Sequence, residues 1–194
     1  MYKFLRLAPL LVLAALATAC VSIPKDRMQP VPANAVTKAP QAGKSLVYFV
    51  RTSKYAGILP ADLYDDESYI GSIAFGQYIA YQATPGKHLF MVTGETAEFM
   101  PADLIAGKTY YANVGAHMGM WKARFHISPQ NGDLPQGELD SALNAAQEVT
   151  LTEGGRKWAA ENAESVHSLK AENLPKWEKS GQLAKRTLQS SSGR

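Results

Sequence analysis

The chain has 194 residues, with 20 basic and 17 acidic side chains, a formal net charge of +3 and one cysteine. A charge this close to neutral argues against a nucleic-acid-binding protein, which needs a strongly basic face. A single cysteine excludes a fold held by internal disulfides, so stability has to come from a hydrophobic core, which a chain of this length is able to bury.

The N-terminal segment has the layout of a secretory signal. Lys3 and Arg6 precede an apolar run over residues 7–19, and Cys20 follows directly. The run is shorter than the roughly 20 residues that a membrane-spanning helix needs, and the order charged, apolar, small is that of a signal peptide. We therefore expect residues 1–19 to be a lipoprotein signal peptide and Cys20 to be the lipid attachment site. A plain signal peptide with an incidental cysteine is the alternative.

Acylation of Cys20 would attach the protein to a membrane. Two or three palmitate-like chains anchor stably, because each buried methylene contributes about 0.8 kcal/mol, whereas one chain alone binds marginally. In diderm lipoproteins a residue other than Asp after the cysteine favours export to the outer membrane, and Val21 stands at that position here. We expect a lipid-anchored protein on the periplasmic face of the outer membrane.

Residues 20–44 lack the pattern of a folded domain. They hold Pro24, Pro30, Pro32 and Pro40 and few large apolar side chains, a composition typical of an extended tether. We expect this tether to hold the folded part away from the bilayer. Removal of the two signal-peptide cations lowers the net charge from +3 to +1.

Residues 45–130 predict a small antiparallel β-sandwich. Short runs rich in Val, Tyr and Phe alternate with turn signals, which is typical of two packed antiparallel sheets. In one turn, Pro85 and Gly86 match the dihedral angles of a type II turn with positive φ at the glycine, and a second turn is expected at Gly107. Strands are predicted over residues 45–52, 88–93, 110–116 and 121–128.

The strand over residues 121–128 has the strictest alternation. One face holds Trp121, Ala123, Phe125 and Ile127, and the other holds Lys122, Arg124 and His126. This pattern predicts one buried and one solvated face. Residues of one face follow each other at about 7 Å along a strand. We therefore single out the three basic side chains as a candidate face for an anionic envelope polymer or lipid headgroups. The alternative is an ordinary solvated sheet face.

The C-terminal part is predicted to be helical. Residues 131–188 are expected to form an extension packed on the sandwich, with helices over residues 135–147 and 156–173 separated by a short strand. Pro175 should interrupt the second helix. A partner-binding arm is the alternative to packing on the sandwich. The Ser-rich residues 189–194 predict a disordered tail.

Four segments together resemble a known family. They are Ser45-Leu-Val-Tyr-Phe-Val-Arg51, Tyr69-Ile-Gly-Ser72, Thr84-Pro-Gly-Lys-His88 and Ala106-Gly-Lys-Thr-Tyr-Tyr111. This order of motifs resembles the bacterial lipoproteins grouped as domain of unknown function 2846, over about residues 45–130. The resemblance implies a small β-sandwich in the cell envelope and implies no established activity. One departure, an acidic run at residues 65–68 in place of the family's Asp-Gly turn, predicts a looser hairpin.

Two clusters in the sequence hold residue types that bind metal ions. His117, Met118 and Met120 are ligand types that suit Cu(I), but neighbouring residues of a strand point to opposite faces. The acidic residues between positions 62 and 67 lack the glycine and the distal glutamate of a dedicated Ca²⁺ loop, so a solvated acidic turn is the preferred interpretation. We predict no metal site.

The sequence shows no catalytic motif. The nucleophile elbow, the zincin His-Glu-x-x-His and the paired-cysteine zinc pattern are absent, and the four histidines are scattered. We predict a non-enzymatic binding or interaction module of the cell envelope, with no catalytic residue, no cofactor and no nucleic-acid partner. Its expected partners are the membrane, through the lipid, and envelope proteins or an anionic envelope polymer. The alternative is a hydrolase-like enzyme that acts on an envelope polymer through a site assembled across loops.

Overall fold

The computed structural model describes residues 26–54, 59–118 and 123–194. Cys20 and Lys122 lie outside the described residues. Within the described part, two β-sheets pack face to face, and a helix lies on the outer face of each. The predicted fold class, a mainly β sandwich with C-terminal helices, is confirmed. No helix in these ranges is long and apolar enough to cross a bilayer.

The described residues form ten strands. Their bounds are β1 Met28–Pro30, β2 Ser45–Arg51, β3 Ala61–Asp65, β4 Ser68–Ile73, β5 Gln77–Ala83, β6 Gly86–Thr93, β7 Ala97–Leu104, β8 Thr109–Met118, β9 Ala123–Pro129 and β10 Gln147–Leu151. One sheet has six strands in the order β1-β10-β5-β2-β8-β9, and the other has four in the order β4-β3-β6-β7. Most neighbouring strands are antiparallel, but β2 is parallel to β8 and β10 is parallel to β5.

Two predicted turns carry the chain from one sheet to the other. Gly86 has a φ of +117°, as the turn chemistry predicts, and Gly107 has a φ of +76°, so both need the conformational freedom of glycine. The strands that these turns join, β5 with β6 and β7 with β8, belong to different sheets. The turns therefore form corners of the sandwich rather than hairpins.

The acidic β3–β4 hairpin is tight, so the looser hairpin expected from the family departure does not form. Asp65 pairs directly with Ser68, which leaves a two-residue turn. Asp66 adopts a φ of +56° in this turn. Aspartate tolerates the left-handed region better than most side chains, so it replaces the expected glycine at this position.

Arg51, the last residue of β2, is buried between the sheets. Its Nη1 donates to the backbone carbonyls of Leu59 at 2.5 Å and Ile73 at 3.0 Å. Burial lowers the pKa of Arg51 to about 10, so the side chain remains charged at neutral pH. This arginine holds the segment between β2 and β3 against β4, which gives the family-like strand motif a structural role.

The described residues form three α-helices: α1 Gln136–Asn144 lies between β9 and β10, and α2 Glu153–Lys179 and α3 Leu183–Arg186 follow β10. α1 buries Leu139 on the outer face of the six-stranded sheet, and α2 buries Val166 and Trp177 on the outer face of the four-stranded sheet. The rings of Trp177 and Phe99 on β7 lie 5.7 Å apart. These helices are thus packed on the sandwich.

The predicted interruption at Pro175 is wrong, because α2 continues through it. A proline inside a helix removes one backbone hydrogen bond and opposes helix formation. Leu174 and Trp177, on both sides of the proline, pack against the four-stranded sheet. This tertiary packing offsets the local cost and keeps the helix in one piece.

Residues 26–44 pack on the sandwich, which differs from the expected tether. Met28 lies in the core, and β1 pairs with β10. Farther along, the backbone N–H and the hydroxyl of Thr37 each donate to the Glu148 carboxylate at 2.8 Å. β10 and Glu148, with which this segment pairs, lie more than a hundred positions later in the sequence. The local composition of the segment therefore cannot predict these contacts.

The Ser-rich end differs from the expected disordered tail in the same way. Ser190–Ser192 form a short 3-10 helix. Arg194 and Thr109 exchange two backbone hydrogen bonds of 2.9 and 3.0 Å. The carbonyl of Ser190 accepts a hydrogen bond from the Tyr110 hydroxyl at 3.3 Å. The tail therefore lies against the start of β8.

Candidate functional site

A cleft of about 330 Å³ lies where the end of α2 and α3 meet the sandwich. The basic side chains on its wall are His117, Arg124, Lys176 and Arg186, and we call it the cationic cleft. Glu98 contributes a carboxylate. Among the described lining residues, three permanent cations therefore face one acid.

Strands β8 and β9 place two of these side chains by antiparallel pairing. His117 stands opposite Arg124, and Gly115 stands opposite His126. A Cβ atom at Gly115 would overlap the ring of His126, so glycine is needed for the ring to lie there. The predicted alternation is confirmed along β9, although the face that carries Arg124 and His126 is half-buried rather than fully solvated.

The helical part supplies the other two cations. Trp177 is buried and fixes the end of α2, which positions the neighbouring Lys176 at the cleft. The Nη1 of Arg186 donates to the carbonyl of Ile127 at 2.9 Å and to the hydroxyl of Ser128 at 2.8 Å, which ties α3 to β9. The Nε and Nη2 groups of Arg186 have no acceptor among the described residues, so they are available to a ligand.

Arg124 and Lys176 each have an acidic neighbour. Arg124 Nη2 lies 2.9 Å from Glu95 Oε1, and Lys176 Nζ lies 2.8 Å from Glu172 Oε1. The Lys176 side chain is 66% exposed and that of Arg124 is 39% exposed. The Lys176–Glu172 pair is therefore weak, because water screens exposed charges, whereas Glu95 is only 16% exposed and accepts from both Nε and Nη2 of Arg124. An incoming anion can compete for Lys176, and it meets Arg124 as a cation already paired with Glu95.

The two histidines near the cleft differ in their surroundings. Burial, together with the charges of Arg186 and His117, lowers the pKa of His126 below the usual histidine value. His126 is consequently neutral at pH 7. Its ring lies 5.7 Å from that of the exposed His117. His126 is thus a neutral group next to the cleft, which differs from its expected place in a row of cations.

The structure brings together only part of the predicted anionic-ligand face. Arg124 lines the cleft, His126 lies beside it, and Lys122 lies outside the described residues. Sequence reasoning missed Lys176 and Arg186. The sequence signal for these two residues was that basic side chains occupy the last turn of each helix. This pattern indicates where a helix ends, but it does not indicate what the helix end packs against.

His88 forms a second polar cluster, and its role is structural. Its Nδ1 lies 2.7 Å from Asp65 Oδ2, and its Nε2 lies 2.7 Å from the carbonyl oxygen of Thr84. Both partners only accept, so both ring nitrogens carry a proton. The hydrogen bond to Asp65 raises the pKa of His88 accordingly. With both nitrogens occupied, His88 has no lone pair to act as a general base.

The acidic residues considered for Ca²⁺ do not converge. Asp62 lies 3.5 Å from Arg27, and burial raises the pKa of its carboxyl group. Asp66 and Glu67, at the β3–β4 turn, instead accept hydrogen bonds from Lys170 of α2. Across the described ranges, no three His, Cys, Asp or Glu side chains are close enough to hold a metal ion.

Comparison of the chain with family models, with curated proteins and with solved structures found no match. The resemblance to the lipoprotein family stays a prediction. The features of the chain that bear on function are its N-terminal sequence pattern and the geometry of the cationic cleft.

Proposed function

We propose that this protein is a lipid-anchored, non-enzymatic binding module of the cell envelope that holds an anionic envelope polymer in the cationic cleft. The observation that carries the proposal is the convergence of Arg124, Lys176 and Arg186, from three different elements, on one cleft. Glu95 and Glu172 offset two of these charges, and a bound anion would add its attraction to Lys176 and to the Nε and Nη2 groups of Arg186, which are unpaired among the described residues.

The anchor is supported by the sequence around Cys20 and by the resemblance to envelope lipoproteins. Because the packed part of the chain includes β1, few residues separate Cys20 from Met28. At no more than about 3.5 Å per residue, a segment of this length spans at most about 30 Å. The folded part would therefore stand much closer to the bilayer than a free tether over residues 20–44 would allow.

The proposal is tested by co-sedimentation of the protein, purified as the cell makes it, with peptidoglycan sacculi. Soluble polyglutamate is the second probe, because it carries carboxylates and no sugar. We expect binding that weakens as salt is added, since salt screens exposed charges. We expect Lys176→Gln to weaken it about fivefold, which corresponds to about 1 kcal/mol.

Lys157→Gln is the matched control. Lys157 is also exposed on α2 and also pairs with a glutamate one helical turn away, Glu161 at 3.9 Å, but it does not line the cleft. Absence of binding, binding that is insensitive to salt, or equal losses in the two variants would contradict the cleft as the site. Release of soluble fragments from the sacculi would contradict a non-enzymatic role.

A further inference from the structure

A second and larger cleft, of about 530 Å³, lies on the other side of the molecule's sheets, beside α1. Its floor is the outer face of the six-stranded sheet, where Tyr48, Tyr78 and Tyr111 stand on three adjacent strands. Its walls are α1 and residues 36–38. We call it the tyrosine cleft. Its volume falls within the range of about 300–1,000 Å³ that is usual for small-molecule sites.

The three tyrosines of the floor are buried, at 4–7% exposed, and they pack against one another. The rings of Tyr48 and Tyr78 lie 5.8 Å apart, and those of Tyr48 and Tyr111 lie 5.3 Å apart. The Tyr48 hydroxyl donates to the Thr37 carbonyl at 2.6 Å, and the Tyr78 hydroxyl donates to Glu148 at 3.1 Å. Burial raises the pKa of Tyr48 to about 12, so this donor keeps its proton.

The walls carry polar groups that the fold does not use. The side chains of Lys38, Thr109 and Asn144 line the cleft and make no hydrogen bond to any described residue. Gln136 and Asp140, on α1, stand at the same rim, but the Gln136 amide already donates to Asp140 at 2.7 Å and to the Tyr111 hydroxyl at 3.1 Å. Together these groups offer both hydrogen-bond donors and acceptors.

The balance of charge distinguishes this cleft from the cationic cleft. Lys38 and Arg194 are the described cations of its lining, and Asp140 is the described acid. The Arg194 guanidinium already donates to the side-chain oxygen of Gln136 at 3.0 Å and to the Leu134 carbonyl at 2.7 Å. A ligand here therefore meets mixed polar groups and aromatic side chains rather than a field of one sign.

We propose that the tyrosine cleft binds a short neutral oligosaccharide. Each sugar hydroxyl donates one hydrogen bond and accepts up to two, which matches the amide, hydroxyl and ammonium groups of Asn144, Thr109 and Lys38 at the rim. The apolar C–H groups of a pyranose ring suit the small aromatic surface that these buried tyrosines leave at the floor of the cleft. This site and its ligand are separate from the anionic ligand of the cationic cleft.

The test is an NMR titration of the ¹⁵N-labelled protein, kept in a zwitterionic detergent that carries no sugar. The probe is N,N′-diacetylchitobiose. We expect shift changes confined to residues 36–38, the start of β8 and α1. Asn144→Ala should weaken binding about fivefold, as expected for the loss of one hydrogen bond.

Asn162→Ala is the control, because Asn162 is a partly exposed asparagine on α2 that bonds within its own helix. It should leave the affinity unchanged. A matched disaccharide with one glucuronate in place of a neutral sugar shows whether charge is recognised. No shift at millimolar probe, shifts that map to the cationic cleft, or binding of the glucuronate form alone would each overturn the proposal.

Discussion

α2 and α1 cover opposite faces of the sandwich, and they do so to very different extents. α2 has 27 residues and buries Val166 and Trp177 on the four-stranded sheet, whereas α1 has nine residues and buries Leu139 on the larger, six-stranded sheet. The tyrosine cleft of about 530 Å³ and an apolar cavity of about 210 Å³ border α1. Near α2, the cationic cleft lies at the C-terminal end of the helix. The cleft near the long helix α2 therefore lies at the end of that helix. The clefts near the short helix α1 lie along the sheet face that α1 covers only in part.

The largest loss of stability is expected from a substitution on the face of the sandwich that α2 covers. Trp177→Ala removes a buried ring that packs on Phe99, so we expect a loss of about 3–5 kcal/mol in the free energy of unfolding. Urea unfolding followed by circular dichroism measures this loss. A loss below about 1 kcal/mol would mean that α2 does not stabilise the sandwich.

On the loosely covered face, Leu139→Ala should cost less, about 2 kcal/mol, the low end for buried leucines. The physical reason is that Leu139 already borders the cavity of about 210 Å³ and so has fewer contacts to lose. Leu183→Ala is the control, because Leu183 is 53% exposed and its loss should change stability by less than about 0.5 kcal/mol. If Leu139→Ala costs as much as Trp177→Ala, the two faces are equally well packed.

The pH dependence of stability should report the His88–Asp65 pair, which joins β6 to β3. The pKa of His88 is raised in the folded state above its unfolded value, chiefly by the hydrogen bond to Asp65. The stabilisation is thus fully present below the unfolded pKa of about 6.5 and is lost as the pH rises through the folded pKa. Relative to His88→Gln, the wild-type protein should lose stability across this window. Parallel pH curves for the two proteins would show that the imidazolium does not stabilise the fold.

The smallest change in stability is expected from a substitution on the exposed face of α2. Lys157→Gln breaks only the pair with Glu161, in which the lysine is 78% and the glutamate 61% exposed. We expect a change below about 0.5 kcal/mol in thermal or urea unfolding. A larger loss would indicate that the outer surface of α2, and not only its packed side, stabilises the molecule.

Local patterns predicted the local features of the fold. The alternation along β9 needed only the period of a strand, and the positive φ at Gly86 and the turn at Gly107 needed only turn chemistry. The mainly β sandwich with C-terminal helices also emerged from such signals. The local sequence did not predict that these turns connect strands of different sheets, because strand pairing depends on contacts between distant parts of the chain.

The candidate sites were harder to predict, since each depends on contacts between distant residues. The alternation along β9 identified Arg124 as a candidate residue. Lys176 reaches the same cleft because the neighbouring Trp177 packs on the four-stranded sheet, and Arg186 reaches it because its side chain donates hydrogen bonds to β9. The tyrosine cleft likewise requires residues 36–38 to pack as a wall, and composition alone favoured a tether there. Tertiary packing, which no local pattern encodes, assembled both sites.

The claim that the two clefts select ligands by charge is tested most directly by one crossed binding measurement. Affinities for polyglutamate and for N,N′-diacetylchitobiose are measured with Lys176→Gln and with Asn144→Ala. We predict that Lys176→Gln weakens only polyglutamate binding and that Asn144→Ala weakens only disaccharide binding. The assignment of separate sites would be contradicted if each variant weakened the binding of both ligands alike, or if neither variant weakened the binding of either ligand.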